Sequence, residues 1–167
     1  MTNHEIRIQR KGGALGIVLV CWAFAILGAG CGGSSELVGP SEPLAQLDSI
    51  AEFNSTVLDA RKPVVVLVYK EGCPACAKME RVLSHLAAEY HGRAVFVKYP
   101  MANALGIVKN AELRDKYNLF VWPTVILFFD EVEKKRWLTN DFPPDEFRKS
   151  LDEILSVRRE AAGRITE

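Results

Sequence analysis

The chain has 167 residues, enough for one globular domain and a modest extension. Its 21 Lys+Arg balance 21 Asp+Glu, so no net charge draws it to nucleic acid or to an acidic surface. With 49% hydrophobic and 25% charged residues it falls outside the disordered and collagen-like classes, and four Cys are too few for a disulfide-stapled miniprotein.

Arg7, Arg10 and Lys11 precede an apolar run of 14 residues, Ala14–Leu27, and no charged residue stands between Gly12 and Ser35. A basic head, a short apolar core and a small-residue end describe a secretory signal. Gly28-Ala29-Gly30-Cys31 then resembles a lipoprotein signal, in which small residues precede a Cys that is acylated and becomes the new N-terminus. One position departs from that pattern: Gly28 stands where such signals usually carry Leu. The expectation is a signal peptide over 1–30, lipidation at Cys31, and a Gly/Ser/Pro-rich flexible tether over 31–43. The basic head stays cytoplasmic, so the remainder is exported to the periplasmic side of a bacterial membrane. A plain cleaved signal and an uncleaved signal anchor are the alternatives, although for an anchor the core is shorter than the ~20 apolar residues of a membrane span. Cys21, inside the apolar run, reads as a small hydrophobe.

Beyond the tether, apolar spacing predicts alternating helices and strands. Leu44, Leu47, Ile50, Ala51, Val57 and Leu58 recur as on an amphipathic helix over 43–60. Val64–Tyr69 is a continuous β-branched run, the pattern of a strand covered on both faces. A helix over 74–90 follows, with Met79, Val82, Leu83, Leu86 and Ala87 as its buried stripe. Then come a strand over 94–99, a looser stretch from Pro100 to Val108, and a short helix near 109–117. Thr124–Phe129 and Lys134–Leu138 read as strands of a hairpin across Asp130–Glu133, and Pro143-Pro144-Asp145-Glu146 starts a last helix to about 158. This alternation points to a mixed α/β sheet with helices on both faces. No repeat and no nucleotide-binding glycine motif interrupts it.

The chemistry lies in Cys73-Pro74-Ala75-Cys76. A spacing of three along a helix puts both sulfurs on one face, close enough to form a small disulfide. Cys73 sits just ahead of the helix, where unpaired backbone N–H groups and the macrodipole stabilise an anion. A thiolate there forms at lower pH than a free Cys, and the thiolate is the nucleophile. Cys76, one turn inside, is expected to be more buried and to resolve the mixed disulfide that Cys73 forms. Three other readings stand beside this one. A zinc site lacks its remaining ligands, since His85 and His91 are placed too far along the helix. A structural disulfide in so small a ring stabilises weakly. A copper site would take Met79 and Met101 as soft ligands beside the two thiolates.

From about residue 44 to 158 the sequence resembles the thioredoxin family. The strand ending in Tyr69-Lys70-Glu71-Gly72 runs into the Cys pair, a second short strand follows, and Tyr117–Val125, with Trp122-Pro123-Thr124 at its centre, looks like the family's cis-proline segment. The resemblance implies a three-layer α/β/α sandwich with a mixed central sheet over 44–160, followed by a tail at 161–167. It implies that Pro123 is cis and lies against the Cys pair, and that the backbone of Trp122 pairs with an extended substrate segment. Pro74 and Ala75 would border the same groove. The sequence departs from the thioredoxins proper at five places: Leu67 replaces the buried acid beneath the dithiol, Gly72 the aromatic before the first Cys, Arg81 the proline of the active-site helix, Pro74-Ala75 the Gly-Pro between the cysteines, and the Pro100–Val108 loop is longer.

The expected function is thiol–disulfide exchange with exported proteins, with the Cys73–Cys76 disulfide as redox centre and no organic cofactor or metal. Expected partners are protein thiols or disulfides and a membrane or periplasmic dithiol relay. The chain is expected to be a monomer held to the membrane by its lipid, with no nucleic-acid partner. A copper-binding chaperone of the same fold and a non-catalytic docking domain are the rival readings.

Overall fold

The computed structural model describes residues 39–138 and 142–163. The expected signal 1–30, the acyl acceptor Cys31, the tether as far as residue 38 and positions 164–167 lie outside the described residues. In chain order the elements are β1 (Ala45–Gln46), α1 (Ile50–Phe53), β2 (Val64–Lys70), α2 (Pro74–Glu89), β3 (Val95–Ala102), α3 (Ala111–Lys116), β4 (Thr124–Phe129), β5 (Val132–Leu138) and α4 (Pro144–Gly163). The strands form one sheet in the order β1-β3-β2-β4-β5. β1, β3 and β2 run parallel, while β4 and β5 are antiparallel to their neighbours. The expected mixed sheet with helices on both faces is present.

β2 is the centre of the sheet because Val64 to Val68 are all fully buried and their side chains alternate between its two faces. Val65 and Leu67 point into a core with Met79, Leu83, Leu86 and Ala87 of α2 and Phe147 and Leu151 of α4. Val64, Val66 and Val68 point the other way, against Phe53 of α1, Val57 and Leu113 of α3. Each side chain of this size contributes about 1.5–3 kcal/mol when taken out of water, so a strand buried on both faces is worth more than any edge strand. Phe53 sits edge-on to Tyr99 and Phe128, with ring centroids at 5.8 and 6.1 Å, and anchors the second core.

Four element boundaries differ from the sequence reading: α4 runs to Gly163, into the expected tail, where its end was expected near 158, and three others differ as follows. The helix expected over 43–60 is instead a two-residue edge strand, then α1, then a wider π-helical turn over Asn54–Leu58. Leu44 and Leu47 are both buried, but in the cores on opposite faces of the sheet, which a single helical stripe cannot achieve. Ser49 caps α1 by accepting the Glu52 N–H at 3.1 Å. β3 continues past the expected end at Tyr99 to Ala102, and Pro100 is accommodated because the register with β2 shifts between Tyr69 and Lys70. The β4–β5 loop is two residues, Asp130 and Glu131, both at positive φ (50° and 64°), where a four-residue polar turn was expected. Residues 40–43, the described end of the expected tether, run along α2: the Glu42 N–H donates to the Ser84 carbonyl at 2.9 Å, and Glu42 pairs with His91.

Candidate active site

β2 delivers the chain to one end of the sheet and Gly72 turns it into α2. Gly72 has φ +71°, a conformation open to glycine and costly to other residues. Cys73 follows with extended backbone (φ −90°, ψ 114°) as the N-cap of α2, and Pro74 takes the first helical position. The Cys76 N–H donates to Cys73 Sγ at 3.2 Å, and the Ala77 N–H donates to the Cys73 carbonyl at 3.1 Å. The first sulfur therefore stands where a 16-residue helix directs its free N–H groups and the positive end of its dipole. Cys73 and Ala75 are half-exposed and Pro74 is exposed, whereas Cys76 is 3% exposed. The two sulfurs are in disulfide contact, with Cα atoms 5.2 Å apart, inside the roughly 4.4–6.8 Å range of bridged cysteines.

The Trp122–Pro123 peptide bond is cis. Pro123 is buried and immediately precedes β4. Thr124 pairs with Val68 across antiparallel strands, so Pro123 and the Cys73 turn leave the sheet at the same end. The segment is fastened by the Thr124 hydroxyl, which donates to the Val121 carbonyl at 2.6 Å. Trp122 is half-buried against the core that contains Phe53, and its indole Nε1 is buried without a hydrogen-bond partner among the described residues.

Within β2, Leu67 is fully buried and stands in register with Lys98 on one side and Val125 on the other. Lys98 Nζ reaches Glu80 of α2, one turn beyond Cys76, at 2.5 Å. Tyr69 donates its hydroxyl to Gln46 Oε1 at 2.8 Å, and burial, followed by the nearby Glu71, Glu80 and Asp48 carboxylates, raises its pKa above the ordinary phenol value. Met79 and Met101 fall in the cores on opposite faces of the sheet, so the structure does not bring them together. His85 Nδ1 lies 3.1 Å from the Pro40 carbonyl, and His91 pairs with Glu42; both interactions are made with the segment leading into the sheet.

One feature at this end was not read from sequence. The stretch Pro100–Val108, expected as a loose loop, is the end of β3 and a tight hairpin: Ala102 bridges Val108 antiparallel, and Asn103 closes the turn. The Asn103 N–H donates to the Ile107 carbonyl at 3.0 Å, and its Oδ1 accepts the Ile107 N–H at 2.9 Å. The hairpin is fixed to the Cys73 turn by the Glu71 N–H donating to the Ala102 carbonyl at 3.0 Å and by a Lys109–Glu71 ion pair. A Cβ placed on Gly72 would lie 3.7 Å from that of Ala104. The turn signal was present in Asn103 and Gly106, but its antiparallel partner was hidden by Pro100.

A Cys pair at the head of α2 and a cis-proline before β4 thus lie at the same end of one mixed sheet. The thioredoxin family model matches residues 45–153, and the chain belongs to that family. It is 34% identical to a thioredoxin of Pseudomonas aeruginosa over 80 residues, which are 48% of this chain and 68% of that protein. It is 28% identical to a chloroplastic M-type thioredoxin of Brassica napus over 103 residues, 62% of this chain. The match spans about half, 54%, of that plant protein's own length. Among the described residues no helix is long and apolar enough to cross a membrane.

Proposed function

We propose that this protein is an exported, lipid-anchored thiol–disulfide oxidoreductase acting on protein cystines through Cys73 and Cys76. The observation that carries the reading is the unequal pair at the head of α2: a half-exposed sulfur accepting a backbone N–H, and a buried sulfur within bonding reach of it. In the reducing direction the Cys73 thiolate attacks one sulfur of a client disulfide. A Cys73–client bond forms, and the other client sulfur leaves as a thiolate. The Cys76 thiolate then attacks Cys73 Sγ, closing the internal disulfide and releasing the second client thiolate, so two electrons have passed to the client. The same steps reversed oxidise a client dithiol, and the equilibrium potential of the pair sets the direction. The dithiol is the whole redox centre in this reading. A membrane dithiol relay restores it, and acylation at Cys31 keeps the domain at that membrane. The family membership and the Cys-Pro-Ala-Cys geometry support the exchange chemistry; the basic head, apolar run and small residues before Cys31 support the export.

The test is the full chain carrying Cys76→Ser. It should accumulate disulfide-linked client adducts on Cys73 that dissolve in reductant and vanish when Cys73 is also replaced by Ser. In the same cells, fatty-acid label should enter the wild type and not Cys31→Ser. Absence of adducts together with no exchange by the wild type would refute the activity, and label independent of Cys31 would refute the anchor.

A further inference from the structure

Three segments meet at the dithiol end of the sheet: the turn 70–77 with the Cys pair, the end of β3 and its hairpin over 100–109, and the stretch 118–124 with Pro123. Their charged residues are few. The last stretch has none, the hairpin supplies only Lys109, and the turn supplies Lys70 and Glu71. The first turn of α2 holds no acid. Beyond it come Lys78 and Glu80, and Glu80 is committed to Lys98. Further out, Arg114 pairs with Asp115 on α3, and Arg136 with Glu133 on β5. Glu71 is therefore the one carboxylate in the three segments. It stands two residues before Cys73, a length of chain that keeps the two Cα atoms within about 7 Å.

An anion so close opposes the formation of a second one. Left alone, the Glu71 carboxylate would raise the pKa of Cys73 and act against the helix end. Lys109 pairs with it instead. Both partners have their backbones pinned to the end of β3: the Lys109 N–H donates to the Met101 carbonyl at 2.8 Å, and the Glu71 N–H to the Ala102 carbonyl at 3.0 Å. Between them the hairpin is closed by the Asn103–Ile107 bonds, and a Cβ on Gly72 would lie 3.7 Å from that of Ala104. The ammonium is thus delivered by fixed backbone and not by a lysine swinging over open surface. Lys109 and Glu71 side chains are 42% and 41% exposed, so water screens them and the effect on Cys73 is moderate. A unit charge at about 7 Å in a water-like medium is worth roughly half a pKa unit.

We infer that Lys109 is a positioning residue for the exchange reaction: held by the hairpin against Glu71, it cancels the one negative charge beside Cys73 and so favours the thiolate. This inference rests on the exchange activity proposed above and deepens it, placing control of the nucleophile partly in a hairpin outside the Cys-Pro-Ala-Cys turn. No electron or group passes through either side chain. The pair alters only the proton affinity of Cys73 Sγ, and the electron balance is that of the exchange itself.

The test is the thiolate absorbance of the reduced full chain carrying Cys76→Ser, titrated against pH in four versions: this parent, Glu71→Gln, Lys109→Met, and both changes together. Glu71→Gln is expected to lower the Cys73 midpoint by about half a unit, and Lys109→Met to raise it by about as much. The double variant is expected to return to within about 0.2 unit of the parent, because the two residues act as a pair. Salt at 1 M, where the Debye length is about 3 Å, should shrink both shifts. A purely structural role does not imitate the opposite signs, since loosening or partial unfolding moves both variants toward the free-cysteine value of about 8.5. Should Lys109→Met fail to fold, Lys109→Arg keeps the charge and is expected to hold the parent midpoint, and Glu71→Gln must still lower it. A Glu71→Gln midpoint that stays or rises overturns the inference, whatever Lys109→Met does. Reaction of the chain that retains Cys76 with glutathione disulfide separates this inference from the activity it rests on. Exchange with unshifted midpoints strikes the role of Lys109 alone, and opposite shifts in a chain that exchanges with nothing strike the activity and leave the charge cancellation standing.

Discussion

Gly72 shows how much of the site rests on single residues. Its φ of +71° turns the chain so that Cys73 meets α2 as a cap, and the space beside it is ordinary van der Waals distance to Ala104. The cost of Gly72→Ala is therefore conformational and not a clash: about 1–2 kcal/mol of unfolding free energy, from placing an L side chain at positive φ. Urea unfolding of the oxidised variant should show that loss; an unchanged midpoint would mean the turn relaxes freely. At this scale the sequence was most readable. Cys73, Cys76 and Pro123 are short-range signals whose chemistry depends on type and spacing, and the structure puts them at one end of the sheet. Leu67 was readable as an apolar substitution, but the Lys98–Glu80 pair one layer away was not, because it joins side chains 18 positions apart.

Elements were legible where one local pattern decided them and illegible where tertiary pairing overrode it. α2 carries a capping site, a proline at its first position and a continuous buried stripe, and its bounds came out within a residue. β1 has two residues and exists through its pairing with β3, at Ala45 with Val97 and Gln46 with Lys98, so nothing local announces it. The hairpin after β3 failed to register for the opposite reason, as Pro100 reads as a strand stop while the bulge permits the strand to continue. At the far end of α2, Tyr90 is 1% exposed, and burial, then the Asp152 carboxylate, push its phenol up to about 12 from 10.0. The folded state thus holds this proton more tightly than the unfolded chain, so stability is full below pH 10.0 and falls as pH rises from there toward about 12. Tyr90→Phe removes that component. The difference in unfolding free energy between wild type and variant should be flat below pH 10.0 and should shrink above it. A difference independent of pH across that range would contradict the assignment.

For the whole molecule, stability resides in the two cores that sandwich β2 and not in the disulfide. A ring closed over a sequence separation of 3 restricts the unfolded chain little, an entropic effect of about 2 kcal/mol at most. Stabilisation of a Cys73 thiolate by the helix would offset part of that when the pair is reduced. Oxidised and reduced forms should therefore unfold within about 2 kcal/mol of each other. A gap above about 4 kcal/mol on reduction would show the bond to be a structural staple of the kind small secreted domains need. The class of fold was legible because alternating helices and strands with buried β-branched runs leave few architectures. The strand order was not, since pairing between distant segments has no signature in one sequence.

The central claim is that the helix and the amide on its sulfur make Cys73 acidic. The thiolate absorbance of the reduced Cys76→Ser chain, followed against pH, reads this directly. A midpoint below about 7.5, at least a unit under the roughly 8.5 of a free cysteine, is the predicted result. A midpoint at or above that free-cysteine value would contradict the account.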